Sequence, residues 1–387
     1  MRRRWAPAFL AGLQALLGAR VVWRLLRTAG GESIAASGAP CPDGERVSVI
    51  VPVLNERARL APCLRGLVTQ TAEVAEILVV DGGSSDGTQE LVAAHAALDA
   101  RIRLLDASPI PPGRNGKAHG LQVGLAHAAG DAAWILTMDA DVRPVPALTR
   151  SLLAHAGRTG VAMLSVATRQ RLSGRAEGLV HPALLTTLVY RFGIPGHATR
   201  NVAAVQANGQ CCLIERATLE RLGGFAVASA SLCEDVTLAR AFAANGHAVG
   251  FYEADRLVAV EMYGGWREAW RQWPRSLPLR DQFSGLAGWI GLLEVTLVQA
   301  LPLPLLLALA FRDPSRRPLK EVSAALALVR LGVVVGTARA YIAPPWTYWL
   351  SPLADLPVAF QLWGSALRRR HEWRGRIVVR GAEGESA

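Results

Sequence analysis

From Arg46 onward the sequence falls into short apolar runs separated by longer amphipathic ones, and this alternation restricts the fold more than any other feature. Val47 to Val53 reads as a strand and Arg57 to Gln70 as a helix. Glu76 to Asp81 is a second strand, after which Gly82-Gly83-Ser84-Ser85-Asp86-Gly87 turns into a helix running through His95. Arg101 to Leu105 gives a third strand, Lys117 to Ala128 a helix, and Ala133 to Met138 a fourth strand. Strands alternating with helices predict an α/β fold with a mostly parallel, doubly wound sheet flanked by helices. Such a sheet binds its ligands beyond the carboxyl ends of its strands.

Three of those ends carry suggestive residues: Asn55-Glu56, the stretch Asp81 to Asp86, and Asp139-Ala140-Asp141. In an extended chain residues i and i+2 point the same way, so Asp139 and Asp141 can grip one hard cation. The alternative is an acidic loop capping a helix that starts near Pro144. A dinucleotide fold would place G-x-G-x-x-G after its first strand. Pro52-Val53-Leu54-Asn55-Glu56 stands there instead, which argues against NAD.

The chain has 387 residues, more than one domain usually holds, and its apolar runs concentrate after Gly285. With 51% hydrophobic residues, that distribution predicts a soluble domain fused to membrane segments. The formal charge of +11 is almost all arginine, since Lys117 and Lys320 are the only lysines. The arginines cluster beside apolar segments rather than forming a stripe with interleaved aromatics. This reads as membrane-interface charge and disfavours nucleic acid as a partner. Five cysteines without C-x-x-C or Cys/His spacing disfavour zinc and predict buried thiols. Cys211 and Cys212, being adjacent, should point to opposite faces of a strand.

Residues 1–27 read as an N-terminal hydrophobic anchor, although Met1-Arg2-Arg3-Arg4 and the apolar run after it also have the form of a signal peptide. Residues 28–45, rich in Gly, Ala, Ser and Pro, read as a linker.

Ser48-Val49-Ile50-Val51-Pro52 with Asn55-Glu56, Val80-Asp81-Gly82-Gly83-Ser84-Ser85-Asp86-Gly87-Thr88, Gly116-Lys117-Ala118, Asp139-Ala140-Asp141 and Glu234-Asp235 together resemble the GT-A family 2 glycosyltransferases. The resemblance runs from Arg46 to about Asp281, with the motifs in the family's order. It implies a GT-A nucleotide-binding domain over residues 46–263 and transfer of a hexose from a nucleoside-diphosphate sugar, with UDP-glucose the expected donor. Pro52, Asn55 and Glu56 would lie where family members approach the nucleotide; Glu56 could instead cap the helix from Arg57. Asp81 would accept the imide N–H of uracil, its alternative being a strand-end turn residue. Asp86 would contact the nucleotide or cap the next helix.

In the same resemblance Lys117, with Arg114, would receive the diphosphate near a helix N-terminus. Asp139 and Asp141 would hold Mg²⁺ or Mn²⁺, Asp139 also touching the donor. His119, close in sequence, reads as an ordinary helix-face histidine. Asn208 and Gln210 belong to the stretch bordering sugar and acceptor. Asp235 would be the catalytic base for the acceptor hydroxyl, with Glu234 beside it; first-turn helix chemistry is the competing account. In-line attack by that hydroxyl would invert the anomeric centre.

Processive polysaccharide synthases carry Q/R-x-x-R-W, whereas here Gln272 precedes Trp273, which argues against chain extension. Glu261 through Leu277 instead resembles the single-addition subgroup that glycosylates membrane lipids such as carotenoids, and is similar to hopanoid-associated and ceramide-type transferases. A lipid acceptor and the membrane are therefore the expected partners, with Trp273 near the acceptor. Residues 264–285 read as an interfacial amphipathic helix, and Leu179 to Ile194 either lines the acceptor's entry or packs a core.

Residues 286–367 hold three segments near the ~20 residues a bilayer crossing needs: Leu286 to Phe311, Val322 to Tyr341 and Trp346 to Leu367. Pro302 and Pro304 predict that the first is broken or re-entrant, leaving the other two as a pair turning at Ala343-Pro344-Pro345. Glu294, Arg330, Arg339 and Asp355 should face protein or headgroups. Residues 368–387 would then be a basic tail on the cytoplasmic side of the cell membrane, together with the catalytic domain.

Overall fold

A computed structural model of the chain describes residues 2–38, 45–275, 277, 285–309, 316–368, 370–373 and 376–379. In chain order the elements are α1 (Arg2–Thr28), β1 (Val47–Val53), α2 (Arg57–Val68), β2 (Val74–Asp81), α3 (Thr88–Ala96), β3 (Ile102–Asp106) and α4 (Gly116–Ala126). There follow β4 (Trp134–Met138), β5 (Val142–Pro144), α5 (Leu148–Thr159), β6 (Met163–Ala167), β7 (Arg169–Gln170), α6 (Arg175–Phe192), β8 (His197–Thr199) and β9 (Cys211–Glu215). Next come α7 (Arg216–Arg221), α8 (Glu234–Ala244), β10 (Val249–Glu253), β11 (Val258–Val260) and α9 (Trp266–Gln272). The chain closes with α10 (Leu286–Glu294), α11 (Pro302–Leu309), α12 (Arg317–Thr337), α13 (Asp355–Leu367), β12 (Arg370–Trp373) and β13 (Arg376–Val379). β12 and β13, which pair with each other, lie within the expected basic tail.

These elements divide into two compact units, an α/β unit drawn from Gly31–Gln170, Pro195–Met262 and Glu372–Ala387, and a helical unit drawn from Met1–Gly30, Arg171–Ile194 and Tyr263–His371. In the α/β unit the main sheet has the order β3-β2-β1-β4-β9-β6-β10-β8. β3, β2, β1 and β4 are parallel, as are β6 and β10; β9 runs antiparallel between β4 and β6, and β8 antiparallel at the edge. The expected alternation is therefore right and the sheet is mixed.

Its central strands β1, β2, β4, β6 and β9 are mostly apolar because both of their faces are covered. Val49, Val51, Ile77, Val79 and Leu136 enter one core, and Ile50, Leu78, Val80 and Ile135 the other. Cys211 and Cys212 divide between the same two faces as buried thiols. Pro52 sits in β1 opposite Val80 of β2 but beyond Ile50↔Thr137, the last pair with β4. A strand tolerates proline there because no ladder bond to β4 is lost.

Two expectations within this unit are corrected. No helix begins near Pro144: Val142–Pro144 is β5, paired antiparallel with β11 in a small second sheet, and α5 starts at Leu148. The residues expected to form a loose linker are partly docked. Ile34 is buried, its N–H donates to Glu253 O (2.7 Å), and Glu32 N–H donates to Gly196 O (2.9 Å).

The helical unit takes α6 out of the middle of the expected catalytic span; its core joins α6 to α13 and to the helical turns between. Among the described residues two helices are long and apolar enough to cross a membrane, Ala6–Thr28 and Arg317–Ala340. Leu286–Ala300 and Pro302–Leu309 form a pair bent by 41°, which would be a third span if it acts as one. The break falls at the π-helical turn Val295–Ala300, next to the expected prolines. Pro302 has no N–H to donate to that turn.

Trp346 to Leu367 departs from expectation. It is a 3₁₀ stretch, Trp346–Ala354, followed by a 13-residue helix, rather than one helix of spanning length. The interfacial helix is likewise short: α9 ends at Gln272, a single 3₁₀ turn covers Trp273–Arg275, and residues 276 and 278–284 lie outside the described residues. Inside the unit the charges are paired as expected. Arg330 donates to both oxygens of Asp355 (2.7 and 3.0 Å), Gln299 donates to Asp355 (2.8 Å), and Arg20 and Arg24 flank Glu294 (3.0 and 3.2 Å). Arg339 is exposed.

Candidate active site

The carboxyl ends of β1, β2 and β4 carry the residues that the sequence singles out. After β1, Asn55 adopts a left-handed conformation (φ 55°), tolerable for asparagine, and this lets it join the next strand's turn. Its N–H donates to Ser84 Oγ (2.8 Å), and its Oδ1 accepts from Ser85 N–H (2.9 Å). Glu56 is buried at the N-cap of α2 without a side-chain capping bond. Asp86 supplies that bond instead, accepting from Arg57 N–H (3.0 Å) with one oxygen and from Thr88 N–H (3.0 Å) with the other. Asp86 thus ties the starts of α2 and α3 together. Although partial burial opposes ionisation, its bonds from Thr88 and Arg57 hold the carboxyl below the usual carboxylate range.

Asp81, at the end of β2, is 1% exposed. Its carboxylate accepts from Ser84 N–H (3.0 Å), the Ser84 hydroxyl and Gln89 Nε2 (2.6 Å). With Gly83 N–H as a fourth donor (3.3 Å), this cradle fixes its orientation.

Lys117 links the remaining elements. It enters from the first turn of α4, whose N-cap Asn115 accepts from Lys117 N–H (2.9 Å) and Ala118 N–H (3.2 Å). Lys117 Nζ lies 2.7 Å from Asp139 Oδ1 and 2.9 Å from Glu234 Oε1, and it donates to Gly209 O at 3.1 Å. Burial alone would lower its pKa; Asp139, Glu234 and Asp235 outweigh it and raise the ammonium well above the ordinary value. Burial likewise opposes ionisation of Glu234, but Lys117 dominates and keeps it below the usual range. Arg114 is exposed in the preceding loop and donates to Ser229 Oγ (2.9 Å). His119 meets Ala107 O (3.1 Å), the ordinary role expected of it.

Neither acid of Asp139-Ala140-Asp141 caps α5, whose N-cap is Ala147 without a side-chain bond. Asp141 Oδ1 is buried with no hydrogen-bond partner. Burial, then the charges of Asp139 and Glu56, push its carboxyl up to about 8, against the pull of Arg59 and Lys117. A hard divalent cation fits this pair, since it would satisfy the orphaned oxygen and offset the crowded charge. Among the described residues no group of three or more His, Cys, Asp or Glu closes a metal site, so a diphosphate would have to supply further ligands.

Asp235 opens α8. Its Oδ2 accepts from Gly209 N–H (2.7 Å) and its Oδ1 from Val236 N–H (2.8 Å). Burial and the charge of Glu234 raise its carboxyl to about 7, against Lys117 and these two backbone donors. Asn208 and Gln210 flank Gly209 and bond each other, Asn208 Nδ2 donating to Gln210 Oε1 (2.9 Å), while Gln210 O accepts from Asp139 N–H (3.0 Å). Trp273 lies in the helical unit, its ring 4.3 Å from that of His181.

Sequence reasoning missed Asn115 and Gly209. Asn115 Nδ2 donates to Ser231 O (2.7 Å) and to Glu234 Oε2 (3.3 Å), joining the starts of α4 and α8. A Cβ on Gly209 would fall 2.7 Å from Lys117 Nζ and 3.1 Å from Glu234 Oε1, so any side chain there would displace the cluster. An asparagine just before a helix signals a cap; no sequence signal marks Gly209.

Residues 48–222 match the profile of glycosyl transferase family 2. Glycosyltransferase GlyG of Streptococcus pneumoniae serotype 4 is 32% identical over 97 residues, 25% of this chain and 30% of that protein. The undecaprenyl-phosphate 4-deoxy-4-formamido-L-arabinose transferase of Salmonella choleraesuis is 34% identical over 116 residues, 29% of this chain and 34% of that protein. This chain therefore spans only about a third of the length of these curated relatives, at 30% and 34%. Among solved structures, the mannosyltransferase PcManGT from Pyrobaculum calidifontis, in complex with GDP-Man and Mn²⁺, superposes with a TM-score of 0.54 at 22% identity. That match covers 92% of this chain and 98% of PcManGT, and it concerns the fold. Residues 48–222 of the α/β unit thus resemble glycosyl transferase family 2, and the chain shares the fold of PcManGT.

Proposed function

We propose that the chain transfers a single hexose, with inversion, from a nucleoside-diphosphate sugar to a hydroxyl of a membrane lipid. One observation carries the proposal: Lys117, Asp139, Glu234 and Asp235 converge at the carboxyl end of the sheet. UDP-glucose is the expected donor. Asp81 and Asn55 would receive its base and Lys117 and Arg114 its diphosphate, with Pro52, Glu56 and Asp86 shaping the loops around them. Asp139 and Asp141 would hold Mg²⁺ or Mn²⁺, which would supply positive charge to the leaving diphosphate. Asn208 and Gln210 would border the sugar.

Asp235 would accept the acceptor hydroxyl's proton. Each of its oxygens takes one backbone N–H, fixing the carboxylate while leaving lone pairs for the incoming O–H. Attack from the face opposite the leaving diphosphate turns an α-linked donor into a β-linked product.

The apolar helices support an acceptor drawn from the bilayer, such as a carotenoid, hopanoid or ceramide-type lipid, with Trp273 meeting it and the α/β unit on the cytoplasmic side. The likeness to the Salmonella undecaprenyl-phosphate transferase favours a second reading, transfer to a polyprenyl phosphate. A phosphate acceptor is already an oxyanion that needs no base and would be repelled by Asp235 and Glu234, which favours the hydroxyl.

Membranes containing the protein, given labelled UDP-glucose and lipid extracts with GDP-mannose in parallel, test both. The expected product is a β-glucoside whose sugar survives mild acid. Release by mild acid would identify a phosphate-linked product, and an α-linkage by NMR would overturn inversion. Loss of transfer in Asp235→Asn and Asp139→Ala is expected; wild-type rates in these variants would overturn the roles given to the two residues, and no transfer by the unaltered protein would leave a catalytically inactive binding protein as the better account.

A further inference from the structure

We propose that Lys117 is a resident counter-cation of the acidic pair, holding Asp139 until a nucleoside diphosphate draws it away, so that the divalent metal enters tightly only together with the nucleotide. The inference rests on the reading of this cluster as a donor site.

An ammonium has three protons, and Lys117 has three acceptors in place: Asp139 Oδ1 at 2.7 Å, Glu234 Oε1 at 2.9 Å and Gly209 O at 3.1 Å. Its side chain is only 14% exposed, so water contributes little to this arrangement. The interaction with Asp139 occupies one of its two carboxylate oxygens. A metal ion arriving alone at Asp139 and Asp141 would therefore meet a positive charge already on one of its two ligands, with Asp141 Oδ1 as the bare one.

A diphosphate changes this balance, because it offers Lys117 phosphate oxygens in exchange for Asp139. Glu234 and Gly209 O retain the other two protons, so the ammonium can pivot on its flexible stem without losing all its partners. The space is shaped around that headgroup, as the 2.7 Å approach of an added Gly209 Cβ to Nζ makes plain. Glu234 is on this account a positioning residue for Lys117. The coupling is reciprocal, so nucleotide tightens metal binding and metal tightens nucleotide binding.

The full chain, purified in detergent, can be titrated with Mn²⁺ while the EPR signal of free Mn²⁺ is followed, with and without UDP, after correction for Mn²⁺ chelated by UDP alone. Wild type should bind Mn²⁺ weakly alone and more tightly with UDP. Lys117→Met should bind Mn²⁺ alone at least about tenfold more tightly than wild type, so that the further tightening by UDP is smaller than in wild type. Lys117→Arg, which keeps the charge, should behave like wild type. Should Lys117→Met fail to fold, Lys117→Gln carries the same expectation. If wild type binds Mn²⁺ with UDP and the neutral variant's affinity for Mn²⁺ alone is unchanged or weaker, the inference fails while the donor reading stands. If wild type binds no Mn²⁺ even with UDP, both fail.

Discussion

Asp235 combines burial, a charged neighbour and two backbone donors in a way that sets when it can act as a base. Its carboxyl is raised to about 7, so it is neutral below that pH and ionised above it. A base must be ionised, and kcat/KM reports the free enzyme; kcat/KM should therefore fall as pH is lowered through about 7. A cation bound nearby favours the carboxylate, so the corresponding limb of kcat should lie at lower pH. Asp235→Asn should reduce kcat by roughly 10²–10⁴-fold, the usual share of a general base, with UDP binding retained by calorimetry. Gly209→Ala tests the crowding beside it. Its methyl would displace Lys117 or Glu234, and the expected outcome is a raised KM for the donor together with a lowered kcat, measured at saturating acceptor.

At the scale of elements, the site depends on two helix starts held together. Asn115 caps α4 and reaches Ser231 O and Glu234 at the start of α8. Asn115→Ala should cost about 1 kcal/mol or somewhat more in denaturant unfolding, since a cap and an inter-helix tie go together. In the helical unit, the buried pair Arg330 and Asp355 joins α12 to α13. Arg330→Met strands a buried carboxylate and should destabilise by roughly 3–5 kcal/mol. The double change Arg330→Met with Asp355→Leu should recover most of that loss in thermal unfolding, because the double variant leaves no buried unpaired charge.

For the whole molecule, the helices long and apolar enough to span a membrane and the acidic cluster belong to different units of one chain. The helices at Ala6–Thr28 and Arg317–Ala340 meet the length and apolarity of spans, and the helical unit exposes Leu307, Leu328, Val335 and Phe360. The chain should stay in membranes washed with alkaline carbonate, and its recovery in the soluble fraction would count against embedding. Chelation of divalent metal by EDTA should abolish transfer, and Mn²⁺ or Mg²⁺ should restore it.

Much of this was legible from residues alone. The continuous apolar strands read directly as a sheet covered on both faces, and β1, Val47 to Val53, was located between Arg46 and the turn residues Asn55-Glu56. Asp81 and Asp139 stood out as charged groups at strand ends, whereas Lys117 and Asp235 were singled out through the family resemblance. Sequence periodicity describes one element at a time, so it could not assign Asp86 to two helices at once or recruit α6 to the helical unit. Nor could it divide Trp346 to Leu367 into two pieces, since apolarity signals burial or lipid without fixing the path. What the sequence by itself determined was the order of elements and the kinds of charge at their ends. Tertiary structure alone decided which charges share a proton or a cation, because ion pairing and desolvation depend on ångström distances between residues such as Lys117, Asp139 and Glu234 that lie far apart along the chain.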